Sequence, residues 1–560
     1  MASEQKLLRC LTTALTITAV GCVAPGEPVG EATAALYAGG DDAGEDAPDV
    51  ILDQGWDPAT RAAFYQTTQG SRMLPYSWFL HLENADRRQL FRAASNMRRM
   101  GFLVDGATEA NPDNLPVGFA RDVDSVNGDQ IGLTCAGCHT GEIEYAGTRI
   151  RIDGSQGMGD LEQLQNGILA SLQATLADAR KFDRFARAIG ATDRAALRTE
   201  MEAETTWWER RIQRTRGLTP HGPSRTDAFS VIGNEVVCEL LGVPENCAPG
   251  IAPTQFPHLW GTPDFEWAQY NSSVHSPLGR NVGEVTGVFA EARLDASGRV
   301  VSSANIPNLH ALENWVRELE SPLWPEDILG EIDLELAAEG EVLYAENCVG
   351  CHAEVAPRSA PNVFGRTFAQ MDFSTPLGSL GTDPMAAMTF ATRRAYPGPW
   401  LPMMSAVGIT VGPDGKVPAV QLLALSGSMI IQRFFAVSGF TPPQIYDYLS
   451  YRESRSAPIP QLITYRARPL DGIAFTAPFL HNGSVPSMYE LLLPPAQRST
   501  EFYVGSNEFD PVDLGFSTEP ERGAVLLSTT ALGNGNGGHV YGTDLSDHQR
   551  YALIEYLKTL

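Results

Sequence analysis

The chain has little positive charge and lacks long apolar runs. Its formal net charge is −26, from 41 Lys and Arg against 67 Asp and Glu. Such an acidic chain is unsuited to the phosphate backbone of nucleic acids, which basic surfaces recognise. After the N-terminus we see no uninterrupted apolar stretch of the roughly 18 residues that a membrane-spanning helix requires. We therefore expect no nucleic-acid partner, and no membrane contact except through the N-terminus.

Cysteine is also scarce, with 8 in 560 residues, yet half of the cysteines fall into two copies of one motif. The motif is Cys-x-x-Cys-His, and its members are Cys135, Cys138 and His139, then Cys348, Cys351 and His352. This is the attachment pattern of c-type haem, in which each thiol bonds to a porphyrin vinyl group. The histidine then becomes an axial ligand of the iron. The motifs therefore predict two covalently bound haem c groups.

Zinc or disulfide pairs are the alternative explanation of a Cys-x-x-Cys spacing. Structural zinc sites need a second ligand pair to complete four ligands, and they do not explain a histidine directly after both pairs. Two further cysteines, Cys238 and Cys247, are close enough in sequence for a small-loop disulfide in an oxidising compartment. Two buried thiols are the alternative there.

The N-terminus has the pattern of an export signal. A short basic start precedes an apolar segment, 11–20, that is too short to span a membrane, and Cys22 ends a sequence resembling a bacterial lipobox. We expect 1–22 to be a signal peptide with a lipobox, although ordinary cleavage nearby is the alternative. Residues 23–49 are rich in Gly, Ala, Pro and acidic residues and predict a flexible tether. Both outcomes place the protein in the cell envelope outside the cytoplasm, in the periplasm or on the outer membrane as a lipoprotein.

Length and helical periodicity predict the architecture. About 510 residues after the tether exceed what one core holds, and each haem motif falls in its own part of the chain. We expect an N-terminal cytochrome c-like haem domain over 50–325 and a C-terminal cytochrome c domain over 326–560. The fold class is mainly α, with two cytochrome c-like haem domains, extensive loops and a few short strands. Helices are predicted over 88–100, 161–197, 334–344 and 546–560.

The axial ligands decide what each haem can do, because an open iron face binds dioxygen or peroxide whereas a filled one only carries electrons. For the second haem, His481 is the preferred distal ligand, since its loop carries prolines and a glycine, with Met488 and His539 as alternatives. For the first haem, no histidine follows His139 until His221, and Met158 is a weak candidate. We therefore infer an open face at the first iron.

Four more residues are candidates for supporting roles. Trp267, between the motifs, could pass electrons, although a core tryptophan is the commoner case. Glu284 could act as an acid–base group beside an open iron. Arg149 and Arg151 could pair with haem propionates, and the alternative for both is surface charge on a strand.

Several stretches resemble the bacterial dihaem cytochrome c peroxidase superfamily, and most closely its branch of dihaem rubber oxygenases. These stretches lie at 69–76, 115–119, 134–141, 151–154, 280–284 and 477–484, and the resemblance as a whole covers most of residues 60–560. The resemblance implies that His139 and His352 are the proximal ligands, that His481 is distal on the second haem, and that Trp267 lies near the haems. The peroxidases often have a distal histidine shortly after the first motif. This chain has none there, which favours the oxygenase-like branch. Some relatives bind calcium between domains, which raises calcium as a further ligand without indicating its residues.

Three functions remain open from the sequence. The first is a peroxidase-type oxidoreductase that passes electrons from the C-terminal haem to an open N-terminal haem, where hydrogen peroxide or dioxygen reacts, with a small cytochrome as electron donor. The second is a haem-dependent dioxygenase that cleaves an apolar alkene such as polyisoprene. The third is an electron-transfer cytochrome without catalysis.

Covalent attachment is directly testable by mass spectrometry of the denatured protein, produced in a host that attaches haem c. We expect the mass of the polypeptide plus two haems, because thioether bonds survive denaturation. Replacing Cys135 and Cys138 by Ser should remove one haem and leave the other. A denatured chain with bare thiols and no added porphyrin would contradict the assignment.

Overall fold

Helix is the main regular structure, and the strands are short. The computed structural model describes residues 47–124, 128–370, 375–452 and 455–560. The expected signal peptide, Cys22 and nearly all of the tether lie outside these residues. The helices are α1 (Pro58–Gln66), α2 (Tyr76–His81), α3 (Ala94–Arg99), α4 (Leu161–Ala177), α5 (Ala179–Ala188), α6 (Arg194–Thr215), α7 (Ala228–Gly233), α8 (Pro277–Gly287), α9 (Ile306–Glu318), α10 (Glu326–Leu329), α11 (Leu334–Asn347), α12 (Leu377–Leu380), α13 (Met385–Thr392), α14 (Ala419–Ser438), α15 (Pro442–Tyr448), α16 (Ile459–Leu462), α17 (Met488–Leu491) and α18 (Asp547–Leu557).

The strands form small sheets of two or three members. They are β1 (Val50–Ile51), β2 (Leu74–Pro75), β3 (Phe119–Asp122), β4 (Gln130–Leu133), β5 (Thr140–Tyr145), β6 (Thr148–Asp153), β7 (Arg225–Thr226), β8 (Thr254–Gln255), β9 (Ala292–Leu294), β10 (Val300–Ser302), β11 (Arg394–Ala395), β12 (Val417–Pro418), β13 (Glu501–Val504), β14 (Phe509–Asp510), β15 (Gly515–Phe516) and β16 (Val525–Ser528). The three-stranded sheets have the orders β1-β6-β5 and β2-β4-β3. This agrees with the expected helical class with a few short strands.

The first haem motif lies between these two sheets in the chain. Strand β4 leads into it, and β5 and β6 leave it as an antiparallel hairpin in which Thr140 pairs with Asp153. Ala146 and Gly147 at the turn both have positive φ, as a two-residue hairpin turn requires. Gly118 also has a positive φ, and a Cβ there would lie 1.9 Å from the backbone nitrogen of Gly137. The motif is thus packed backbone to backbone against β3.

Around the second motif, the expected pair of terminal helices is confirmed. The Asp333 side chain caps α11, and Ser546 caps α18 with Gln549 in a capping box. The two helices pack against each other, and a Cβ on Gly340 would lie 2.0 Å from the Ala552 carbonyl oxygen. A glycine is needed there because the helices approach so closely.

Two helix predictions in the N-terminal half need correction. The helix expected over 88–100 is only α3, because Phe91 donates its N–H to the Leu82 carbonyl and is held outside the helix. The helix expected over 161–197 is α4, α5 and the start of α6. Asp178 ends α4 and caps α5, since its side chain accepts from the backbone N–H groups of Arg180 and Lys181. Local capping therefore outweighs the continuous apolar stripe.

The hydrophobic core crosses the expected boundary at 325/326. Its largest cluster combines Ile150 and Trp260 with Phe475 and Leu553, so side chains from both predicted domains are packed together. The two-domain division stays a prediction. The disulfide expected between Cys238 and Cys247 is confirmed.

Helix α14 was not recognised as an apolar run. It has 20 residues and a mean hydropathy of 1.5, so by length and composition alone it could cross a membrane. Gln421, Ser426, Ser428 and Arg433 interrupt the run, so it is not an uninterrupted apolar stretch of the kind considered above from the sequence. One stripe of α14, at Ala419, Leu422, Ser426 and Ile430, is buried in the protein.

Candidate functional site

Both haem motifs open onto one large cavity. Its volume is about 1540 Å³, which is larger than an ordinary small-molecule pocket. The motif residues that line it are Cys135, Cys138, His139, Cys348, Cys351 and His352. The fold therefore brings together all six residues that the sequence separates into two distant groups.

The two motifs share one local backbone geometry. In each, the histidine N–H donates to the carbonyl of the first cysteine, at 2.9 Å for His139 and 2.9 Å for His352. The second cysteine N–H donates to the same carbonyl, at 3.2 and 3.1 Å. Burial raises the pKa of Cys135 and Cys138 to about 12 and that of Cys348 to about 11. Before haem is attached, these side chains are therefore protonated thiols at neutral pH.

Each motif histidine is oriented by a backbone carbonyl. The Nδ1 of His139 donates to the Pro257 carbonyl at 2.8 Å, and the Nδ1 of His352 donates to the Arg468 carbonyl at 2.8 Å. A carbonyl can only accept, so the proton is on Nδ1 and the lone pair is on Nε2. This arrangement is the usual support of a metal-binding histidine. The residues present therefore fit haem c. No sequence pattern predicts that the carbonyls of Pro257 and Arg468 support the two histidines.

The ring that packs beside His352 is another histidine, whereas the ring that packs beside His139 is a phenylalanine, although His258 lies close enough to His139 for the charge of His139 to add to burial in lowering the pKa of His258. The rings of His352 and His539 have centroids 6.3 Å apart. Two imidazoles on opposite sides of one metal, with bonds of about 2 Å, would have centroids about 6 Å apart. Beside His139 lies Phe256, with ring centroids 6.1 Å apart, and the described residues contain no such histidine pair there. The surroundings of the two motif histidines are therefore different.

His481 also lines the cavity, but its ring neighbours are tyrosines. Its ring stacks on Tyr465 at 4.1 Å and lies 6.2 Å from the ring of Tyr270. Burial lowers its pKa to about 3, so it is neutral. In the helix that follows, Ser487 accepts a hydrogen bond from the backbone N–H of Glu490. The Glu490 carboxylate does not complete a capping box, because it accepts from Ser499 instead. The geometry favours His539 over His481 as the partner of His352.

Glu284 is a cavity residue close to the first motif. Its Oε1 accepts from Gln269 at 2.9 Å, and the Arg280 guanidinium lies 3.9 Å away. Burial raises the pKa of Glu284. Arg280 itself is paired with Glu313, whose other oxygen, Oε1, is buried and has no hydrogen-bond partner in the described structure. The carboxyl of Glu284 is thus placed to hold a proton beside the first haem position.

Trp267 is buried next to the cavity. Its ring packs edge-on against His275, with centroids 5.0 Å apart, and the Arg455 guanidinium lies over it at 5.6 Å. The cavity lining includes its neighbours Ala268 and Gln269, and among the described residues Trp267 does not belong to it. Its role in electron transfer stays a prediction.

The expected pairing of Arg149 and Arg151 with haem propionates is not what the structure shows. Arg151 is fully buried and holds Asp105, at 2.7 and 3.0 Å, and Glu142, at 2.9 Å. Arg149 lies near Asp49 at the surface, 3.8 Å away. The guanidinium of Arg151 is thus paired with Glu142 of β5 and with Asp105, and that of Arg149 lies near Asp49, which directly precedes β1.

One wall of the cavity is apolar and comes from α14. The apolar side chains of α14 that line the cavity include Leu423, Leu425, Ile431 and Phe435. Among the described residues there is no cluster of three or more His, Cys, Asp or Glu side chains that could hold a further metal ion, so the calcium expectation gains no ligands.

Comparison with known proteins agrees with a haem c protein. A family model described as RoxA-like, cytochrome c-like, matches residues 464–503. The chain is 30% identical over 570 residues to the uncharacterized protein y4iJ of Sinorhizobium fredii, covering 91% of this chain and 93% of that protein. It is 23% identical over 287 residues to protein y4iM of the same organism, covering 50% and 52%. The match of 464–503 supports the rubber oxygenase-like branch, and a cytochrome c-like segment implies covalently bound haem c.

A paired substitution separates the structural arginine from its neighbour. Replacing Arg151 by Met should lower the free energy of unfolding by about 3–5 kcal/mol, because Glu142 and Asp105 would lose their buried partner. Replacing Arg149 by Met should cost about 0–1 kcal/mol, as for other exposed ion pairs. Chemical denaturation of the two variants measures both values. A haem spectrum altered by Arg151→Met without loss of stability would speak for propionate binding instead.

Proposed function

We propose that this chain, which belongs to the family of protein y4iJ, is a dihaem c-type cytochrome oxidoreductase with two unlike haems. The observation that carries the proposal is the contact of His352 with His539, which has no counterpart at His139 among the described residues. Cys135, Cys138 and His139 would hold the first haem, and Cys348, Cys351 and His352 the second. His539 would be the second axial ligand of the latter.

Bound haem c supplies an iron that exchanges one electron and, where an axial position is open, binds dioxygen or peroxide. The chain's own contribution is to leave one position open and close the other. His352 and His539 together would restrict the second site to electron transfer. His139 alone would leave the first site able to take hydrogen peroxide or dioxygen.

The surroundings of the motifs support a direction of electron flow. Val349, inside the second motif, is 40% exposed, whereas Ala136, at the same place in the first motif, is 2% exposed. Electrons would therefore enter at the second haem, from a small electron-donor cytochrome, and pass to the buried first haem. Glu284 would deliver or accept a proton there, because burial keeps part of its carboxyl protonated at higher pH than usual. This path of electrons and protons describes a peroxidase-type activity.

An oxygenase acting on an apolar alkene is the second candidate. The apolar face of α14 borders the same cavity as Glu284 and His139, and the RoxA-like match favours this branch. Such an enzyme would need dioxygen and the alkene but no external electron donor. In either case we propose a location outside the cytoplasm, with Cys22 as a lipid anchor and no other membrane attachment and no nucleic-acid partner.

The ligand assignment is tested by two alanine substitutions. His539→Ala should convert the second haem from low-spin to high-spin, because its iron would lose one of two imidazoles. His481→Ala should leave both haems unchanged in spin state. Electron paramagnetic resonance and absorption spectra of the ferric protein measure this. The opposite pattern, with only His481→Ala affecting the second haem, would restore His481 as the ligand.

The reaction is tested with the purified holo-protein. Cyanide or carbon monoxide should bind one haem only. Peroxide consumption with a reduced cytochrome as donor would identify the peroxidase-type activity, whereas oxygen uptake with a polyisoprene oligomer and no reductant would identify the oxygenase. Two haems that bind neither small ligand would contradict both and leave electron transfer alone.

A further inference from the structure

Two neighbouring arginines line the cavity without a carboxylate partner. Arg466 and Arg468 both belong to the cavity wall, and their guanidinium carbons lie 5.1 and 4.9 Å from the ring centroid of Phe265. Among the described residues neither forms an ion pair, although the chain carries an excess of acidic residues. Burial is the main reason that the pKa of Arg466 falls to about 9 and that of Arg468 to about 10.

Their hydrogen bonds leave donors toward the cavity. Arg468 donates through Nη1 and Nη2 to the carbonyls of His258, at 3.2 Å, and Trp260, at 2.9 Å. Its Nε is buried and has no partner in the described structure. Arg466 donates through Nη1 to the Trp267 carbonyl, and the described residues supply no acceptor for its Nε or Nη2. Two neighbouring, partly buried cations with unused donors are unfavourable unless an anion joins them.

The pair lies between the two motif histidines. The Arg468 carbonyl accepts from His352, and the guanidinium of the same residue reaches the carbonyl of His258. The carbonyl of Pro257, the residue directly before His258, accepts a hydrogen bond from the ring of His139. The same short segments therefore support both haem positions and carry the two cations. An anion that arrives with a haem would meet them as it enters the cavity.

We propose that Arg466 and Arg468 together bind a haem propionate carboxylate at the junction of the two haem positions. The inference rests on the proposed function, since it needs bound haem. Guanidinium groups suit a carboxylate because their planar donors match its two oxygens. The bound propionate would offset the two buried charges, and the guanidiniums would in turn favour the reduced iron, which carries one positive charge less.

The test compares holo-protein carrying Arg466→Met with the unchanged protein. We expect the midpoint potential of one haem to fall, because a nearby positive charge is lost, and the propionate bending band in its resonance Raman spectrum to shift. Arg466→Lys should restore most of the potential, since it keeps the charge, but not the band, since it lacks the planar donors. The haem whose band and potential move identifies whether the propionate belongs to the first or the second haem.

Arg225→Met is the matched control. Arg225 is a buried arginine that forms no ion pair among the described residues, but the cavity is lined by its neighbour Thr226 instead. Its replacement should leave both readouts unchanged. If Arg466→Met does not fold, Arg466→Gln takes its place. Unchanged potentials and bands in a folded variant with full haem content would overturn the proposal, whereas absence of haem from the unchanged protein would contradict the proposed function itself.

Discussion

The hydrogen bonds from the two motif histidines to backbone carbonyls are the interactions on which the rest of the site depends. They fix the tautomer of His139 and His352, and so decide which ring nitrogen can bind iron. The acceptors, Pro257 and Arg468, are far from the motifs in sequence. Because Arg468 also donates to the carbonyl of His258, the two supports are joined to each other. A shift in either segment would move both proximal ligands.

The cavity explains features that would otherwise be unfavourable. Guanidinium groups at Arg466 and Arg468 line it without carboxylates among the described residues, and α14 contributes several apolar side chains to its wall. An empty space of this size in a packed interior loses dispersion contacts along its walls. In the function that we propose, two porphyrins and their propionates would supply both the contacts and the counter-charges.

Sequence reasoning was strongest where chemistry is local. The spacing within each motif predicts haem attachment without any tertiary information, and caps such as Asp333 and Ser546 placed the helices that pack beside the second motif. It was weaker where a long-range partner decides the outcome. The helix expected over 88–100 was shortened by a backbone hydrogen bond to Leu82. Arg151 pairs with Glu142 and Asp105 rather than with a haem propionate. The periodicity of a strand does not reveal such ion pairs.

The sequence by itself indicated the cofactor chemistry, because a Cys-x-x-Cys-His motif places two thiols beside the vinyl groups of one porphyrin and a histidine beneath its iron. Only the tertiary structure decided which irons differ. From the sequence His481 was the preferred ligand and His539 an alternative, but a loop histidine carries no record of its distance to a metal. The packing of the chain brings His539 to His352 and leaves His139 beside a phenylalanine. Distances between residues remote in sequence are set by the whole core, and no local pattern encodes them.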